Sequence, residues 1–337
     1  MKFLDTYSKR NTSIELLRLW FMVMIVTIHA YGHGSGLNYD YLYSLGADCS
    51  TAYHLGLFSL GKCGVTGFMF ISGYYGISLK WKKLVNMIVM LGFYLMLLAI
   101  IGGDSIIATI KVLLHPWDEW WFVSSYIVIC LLSPFINNSI AQMTERQLCY
   151  ILLGLLFYEY VGQFVAMGNS HDTIFLLTVF LCARYTRLYI TPPILRKKKL
   201  CIMTFVTILS GAILCLSPIA FSMMGISKLN QYFISNNNIV LLIFTASIVI
   251  VLDSKRTTNK YINYLATSTL AIYLLTDNFV VRKPLDTWLL KEIISGVNGY
   301  VCLLIVVVIC LLIDKIRGLL FDGVKMIITK INVNSNF

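Results

Sequence analysis

The 337-residue sequence predicts an all-α, polytopic integral membrane protein of about ten transmembrane helices, with both termini cytoplasmic. Three observations carry that expectation. Hydrophobic residues make up 58% of the chain and charged residues only 13%, with a mean hydropathy of +0.77. A soluble protein of this length needs far more charge to cover its surface. In lipid, each segment must satisfy its own backbone polar groups, which favours helices. The second observation is that apolar windows long enough to span a hydrocarbon core of ~30 Å recur throughout. The third is that the basic residues fall on alternate connections between those windows.

The windows lie near 14–33, 53–77, 84–103, 119–139, 147–165, 173–190, 200–221, 238–252, 262–281 and 297–313. Thr12 followed three residues later by Glu15 is a capping-box pattern that opens the first. Lys62 interrupts the second. The fourth begins at Trp120 and Trp121, which read as interface anchors closing an aromatic external stretch over 104–118. The fifth and sixth are the least apolar, holding Tyr158, Glu159 and Tyr160, and Arg184. Residues 314–330 mix apolar and basic positions and read as an amphipathic tail along the inner membrane surface. No region is polar enough for a soluble domain, so 1–337 reads as one transmembrane domain.

Charge tests this count. With the N-terminus inside, the segments 1–13, 78–83, 140–146, 187–199, 253–261 and 314–337 carry 19 of the 27 Lys and Arg residues. External segments carry five (Lys111, Lys228, Arg282, Lys283, Lys291), and three lie within helices (Arg18, Lys62, Arg184). Adding or removing one helix would invert the downstream half and lose this positive-inside bias. The net charge of +11 is therefore a topology signal and not a nucleic-acid footprint. Most of the nine cysteines sit in apolar stretches with no zinc-ligand spacing, and no metal is expected. The first window holds Glu15 and Arg18 and lacks a clean small-residue cleavage site, so it reads as a retained helix.

Four ionisable residues, Glu15, Arg18, His29 and His33, punctuate that first window. At ~100° per residue they fall within an arc of about 60°, a single polar stripe. Arg18 and His29 are nearly eclipsed, about 16 Å apart along the axis. Ionisable groups inside a bilayer are costly and mark a bundle interior or a watery cavity. For Arg18 the structural alternative is a pair with Glu15 one turn away. His33, at the helix end, reads as interfacial; His54, His115 and His171 read as external-side residues.

The run RNTSIELLRLWFMVMIVTIHAYGHG, with its Arg18-x10-His29 spacing, resembles the opening helix of the membrane-bound acyltransferase 3 family. GKCGVTGFMFISGYYGI, WWFVSSYIVICLLSPFINN and STLAIYLLTDNFVVRKPL continue the resemblance, in order, to about residue 290. Two departures stand out. Lys80, Lys82 and Lys83 occupy the place of an Arg-x-x-Arg motif, and Thr276 stands where a histidine often precedes Asp-Asn. No attached esterase-like second domain is expected.

The resemblance implies an acetyl-CoA donor, no permanently bound cofactor, and a hydroxyl acceptor on capsule, O-antigen or exopolysaccharide sugars or a lipid-linked precursor. It also implies a multi-pass protein of the bacterial cytoplasmic (inner) membrane. On that reading His29 is general base or acyl carrier, since an imidazole titrates near working pH. The outward-running first, fifth and ninth helices would bring Glu159, Asp277 and Asn278 to the depth of His29. There Asp277 or Glu159 would orient the imidazole. Arg18 would face the donor, Lys80, Lys82 and Lys83 would attract a CoA phosphate, and Lys62 is the better cavity candidate of the remaining intramembrane cations. The competing reading is a transporter or lipid-linked-sugar exporter whose intramembrane charges line a path.

Overall fold

The computed structural model describes residues 10–102, 120–162, 171–196 and 199–334; over 323–334 only the backbone is described. All regular structure among these is helical. The sequence-predicted stretch 104–118 and His115 lie outside the described residues.

The chain opens with α1 (Thr12–Gly34), then α2 (Tyr39–Ala47), α3 (Ala52–Gly61) and α4 (Cys63–Tyr75). Helices α3 and α4 form one span broken at Lys62. Next come α5 (Trp81–Gly102), α6 (Trp121–Gln142) and α7 (Glu145–Leu156), the last extended by a π-helical turn Phe157–Val161. Helices α8 (Thr173–Tyr185) and α9 (Thr191–Arg196) are joined by a second π-helical turn. The remainder is α10 (Leu200–Met223), α11 (Ser227–Phe233), α12 (Ile239–Ser254), α13 (Lys260–Leu265), α14 (Thr269–Thr276), α15 (Arg282–Ser295) and α16 (Asn298–Asn334).

Seven of the described spans are long and apolar enough to cross a membrane: Thr12–Gly34, Ala52–Tyr75, Trp81–Gly102, Trp121–Gln142, Thr173–Leu195, Leu200–Met223 and Asn298–Asp322. Of window 147–165, the residues up to 162 are described and hold α7 and its π-helical turn. Window 238–252 is covered by the 16-residue α12, and 262–281 splits into α13 and α14 and stops at Thr276. The segment 314–330 is not a separate surface element, because it continues α16 without interruption.

The outward faces are apolar, as lipid requires: Met96, Ile100 and Ile101 on α5, Phe205 and Ile208 on α10, and Ile305 and Leu312 on α16 are all exposed. Inside, α1 is the axial helix, packed on α4, α15, α3 and α14. Small residues permit that approach. A Cβ on Gly64 of α4 would sit 2.6 Å from the Phe21 carbonyl oxygen of α1.

One end of the bundle is tied together by polar contacts. Asn11, and not a Thr12–Glu15 capping box, caps α1, accepting from Ser13 N. Thr12 instead donates to Asn263 Oδ1 at 2.8 Å and accepts from Asn259 N at 2.6 Å. Ser13 reaches Lys255 and Thr257, and Lys315 reaches the Tyr264 carbonyl at 2.6 Å. At the same end Asp253 gathers Tyr74, Tyr75 and Arg187, the last at 2.9 Å.

Candidate active site

The polar stripe of α1 opens into two separate cavities. The first, of about 340 Å³, is lined by Arg18, Ser72, Lys80, Lys83, Tyr126 and the turn at Gly76 that connects α4 to α5. Gly76 takes φ +85°, which a side chain would strain, and the turn lets the chain reverse over this cavity. Arg18 is shared: its Nη1 lies 3.3 Å from Glu15 Oε1, and Glu15 also meets Arg10 at 3.4 Å. Glu15 is buried, while Arg18 keeps about a quarter of its side chain exposed. The pairing and the cavity-facing role therefore coexist. Lys80 and Lys83 join Arg18 in this cavity, and Lys82 does not line it.

The second cavity, of about 220 Å³, lies toward the other end of α1 and is lined by His29, His33, Lys62, Trp121, His171, Asn236, Asp277 and Arg282, among others. Helix α14 ends immediately before Asp277. Asn278 holds the break: fully buried, it accepts from Val280 N and Val281 N and donates to the Leu274 and Leu275 carbonyls. Trp120 fixes the other side of Asp277, its Nε1 donating to the Asp277 carbonyl at 2.6 Å. Trp120 is thus a buried support and not an interface anchor. Trp121 faces the cavity and packs against His171, with ring centroids 5.1 Å apart.

The Asp277 carboxylate has two neighbours. Oδ1 accepts from Arg282 Nε at 2.5 Å, and Oδ2 lies 3.9 Å from His29 Nε2. The second distance is too long for a direct hydrogen bond and leaves room for a bridging oxygen. His29 Nδ1 is buried and has no partner among the described residues.

His33 is not simply interfacial. Its ring stacks on His29 at 5.0 Å, and its Nδ1 lies 3.2 Å from Asp286 Oδ2. Asp286 is fully buried on α15, and burial pushes its carboxyl above the usual range. Gly34 makes that seat possible, because a Cβ there would lie 2.5 Å from the Asp286 carbonyl oxygen. His171 is likewise drawn into the cavity. Burial, with the Lys62 ammonium adding to it, pushes its imidazole down to about 4, so it is neutral near pH 7. His54 is buried apart from this cavity, its Nδ1 2.6 Å from the Tyr31 hydroxyl.

The structure brings His29, Asp277, Lys62 and Asn278 into or around one site. Glu159 it keeps a layer away: its Oε2 accepts from Asn237 Nδ2 at 3.2 Å, and only the neighbouring Asn236 lines the cavity. Arg282, Trp120, His33, Asp286 and His171 are the site residues that sequence reasoning missed. Each comes from a connection or helix end whose packing the local sequence does not announce.

His29, His33 and Asp277 present ligand atoms within 4.8 Å of one another, a spacing a metal ion could draw in. The charges around them oppose one. Arg282 already occupies Asp277, Asp286 holds one His33 nitrogen, and the Lys62 ammonium lines the same cavity. The set is better suited to moving protons, with a carboxylate beside each of two stacked imidazoles.

A membrane-embedded helical bundle with an imidazole–carboxylate site at one end and a basic cavity at the other describes a class, and comparison with known proteins supplies the family. The acyltransferase domain model of the acyltransferase 3 family matches residues 11–314, nearly the whole chain and all of both cavities. The chain belongs to that family, and the protein is an acyltransferase. No curated protein and no solved structure gives a significant match.

Proposed function

We propose that the protein is an O-acyltransferase of the bacterial inner membrane. In this reading it moves an acetyl or similar acyl group from acyl-CoA to a hydroxyl of a cell-surface glycan or its lipid-linked precursor. The observation that carries the reading is that one helix, α1, supplies a residue to each cavity, Arg18 to the basic one and His29 to the one holding Asp277.

Membrane orientation supports the assignment of ends. In this reading ten crossings, counting the seven long spans with the three remaining helical stretches, leave both termini on one side, and the positive-inside bias of the connections makes that side the cytoplasm. The mutual contacts of residues 10–13, 252–263 and 315 are in keeping with that arrangement. The basic cavity then opens to the cytoplasm, where acyl-CoA is made. Arg18 offers a guanidinium fork to phosphate, and Lys80 and Lys83 add positive charge at the rim. The distance of about 16 Å along α1 from Arg18 to His29 is one that an extended CoA arm can bridge.

At the outer end, His29 takes the proton of an acceptor hydroxyl as its oxygen bonds to the acyl carbon. The carbon–sulfur bond breaks, and the CoA thiolate leaves to be protonated. Asp277 stabilises the imidazolium so formed, and Arg282 and Trp120 fix the position of Asp277. No metal takes part, so chelators leave the rate unchanged.

Membranes holding the protein, given labelled acetyl-CoA and the native glycan, test the reading. Wild type should place base-labile label on the glycan and His29→Ala should not; equal labelling by the two would contradict it.

A further inference from the structure

The acceptor cavity contains one charge that the chemistry above does not use. Lys62 sits at the break between α3 and α4, in the middle of the span Ala52–Tyr75. From there it is ten residues from one end of the span and thirteen from the other, at least ~15 Å along the axis. That is too far for its side chain to snorkel to either interface. Its Nζ instead rests over the Phe58 ring at 4.7 Å and lines the same cavity as Asp277 without forming an ion pair with it. Among the described residues the Lys62 ammonium forms no ion pair and no hydrogen bond, and its charge opposes protonation of His171.

The acidic groups nearby are already committed. Asp277 accepts from Arg282 and faces His29, and Asp286 faces His33 from behind the cavity wall. A membrane-embedded ammonium without a counter-charge is costly, and it persists where a function needs it. The cavity volume of about 220 Å³ is below the ~300–1,000 Å³ usual for drug-sized ligands, room for one sugar unit and not a chain. Trp121 and Tyr39 add aromatic surface to the lining of the same cavity, as amphipathic sugar faces require.

We infer that Lys62 is the recognition site for an anionic group on the acceptor, so that the sugar unit acylated at His29 carries a phosphate or a carboxylate close to its reacting hydroxyl. This rests on the acceptor site proposed above and deepens it by naming the charge of the substrate. A phosphodiester to a lipid carrier and a uronate carboxylate present the same chemistry to Lys62.

Labelled acetyl-CoA and one native lipid-linked glycan, offered in three forms, separate these sources. The forms are the intact glycan, the glycan freed of its lipid phosphate by mild acid, and the glycan with its carboxylates reduced to alcohols. Wild type should lose at least about thirtyfold in transfer with one of the two treated forms, the low side of what removing one partner of a buried charged pair costs. The form that loses identifies the source. Lys62→Met should be reduced by a similar factor on the intact glycan and indifferent to the treatment, while Lys62→Arg retains the discrimination. Transfer by wild type that is equal for all three forms overturns the inference, whatever the variants do. Lys62→Met acting like wild type on the intact glycan also overturns it. Label reaching no form of the glycan would instead remove the glycan acceptor itself, and this inference with it.

Discussion

The two ends of α1 solve opposite problems with residues of similar type. At the Arg18 end, charge is loosely held. Glu15 meets two guanidiniums at 3.3–3.4 Å, and Lys80 and Lys83 are exposed at a cavity rim shaped by the Gly76 turn. At the His29 end, charge is closely organised. Asp277 is fixed through its carbonyl by Trp120 and through its carboxylate by Arg282, and a second histidine–carboxylate pair stacks behind it. Loose, exposed cations suit attraction of a highly charged diffusible donor, whereas enclosed pairs suit control of a proton. The contrast teaches that the stripe on α1 is not one site but two, and each can be disabled without the other.

The sharpest way to break the comparison is at His29. His29→Ala should lower acyl transfer by about 10²–10⁴-fold, the usual contribution of a general base, with the protein still extractable and monodisperse. Asp277→Asn keeps the shape but removes the negative charge beside the imidazole. It should cost about 10–100-fold, in the range seen when a group orienting a functional histidine is lost, read as kcat at saturating donor. Lys80→Ala with Lys83→Ala should raise the KM for acyl-CoA several-fold and make it less sensitive to salt, because exposed charges act through a screened field. Lys82→Ala, outside the cavity lining, should do less. The smallest effect belongs to His171. Its imidazole is neutral above about 4, so His171→Gln should leave unchanged any limb of the pH–rate profile between about pH 5 and 8.

Much of this contrast was legible in the sequence. Glu15, Arg18 and His29 stand out because an ionisable residue inside an apolar window has few bland explanations. Their helical phase also put them on one face before any tertiary contact was known. Asp277 and Asn278 were legible only through the family pattern. What was hidden depends on packing between distant segments. Asp286 lies in RKPLDTWLLKEIIS, which reads as an ordinary polar connection. Its burial follows from α15 seating on the side-chain-free surface at Gly34. His33 looked interfacial for the same reason, since its partner comes from 253 residues away. Trp120 carried an interface-belt signal that its indole N–H contradicts, being spent on a backbone carbonyl. Glu159 erred the other way: its depth was reasonable, but depth does not fix direction around the bundle, and Asn237 takes its carboxylate. Seven of the ten windows are long apolar helices, whereas α12 is shorter and the α13–α14 pair is broken, since hydropathy averages over a break that cap residues such as Asn278 create.

The central claim is that donor binding and proton transfer are divided between the two ends of one helix. Equilibrium binding of labelled acyl-CoA to detergent-purified Arg18→Ala and His29→Ala, beside wild type, tests it most directly. The account predicts that His29→Ala binds the donor as tightly as wild type while Arg18→Ala binds it about tenfold more weakly, the loss of one charge-assisted contact to phosphate. Donor affinity lost in His29→Ala and kept in a folded Arg18→Ala would contradict it.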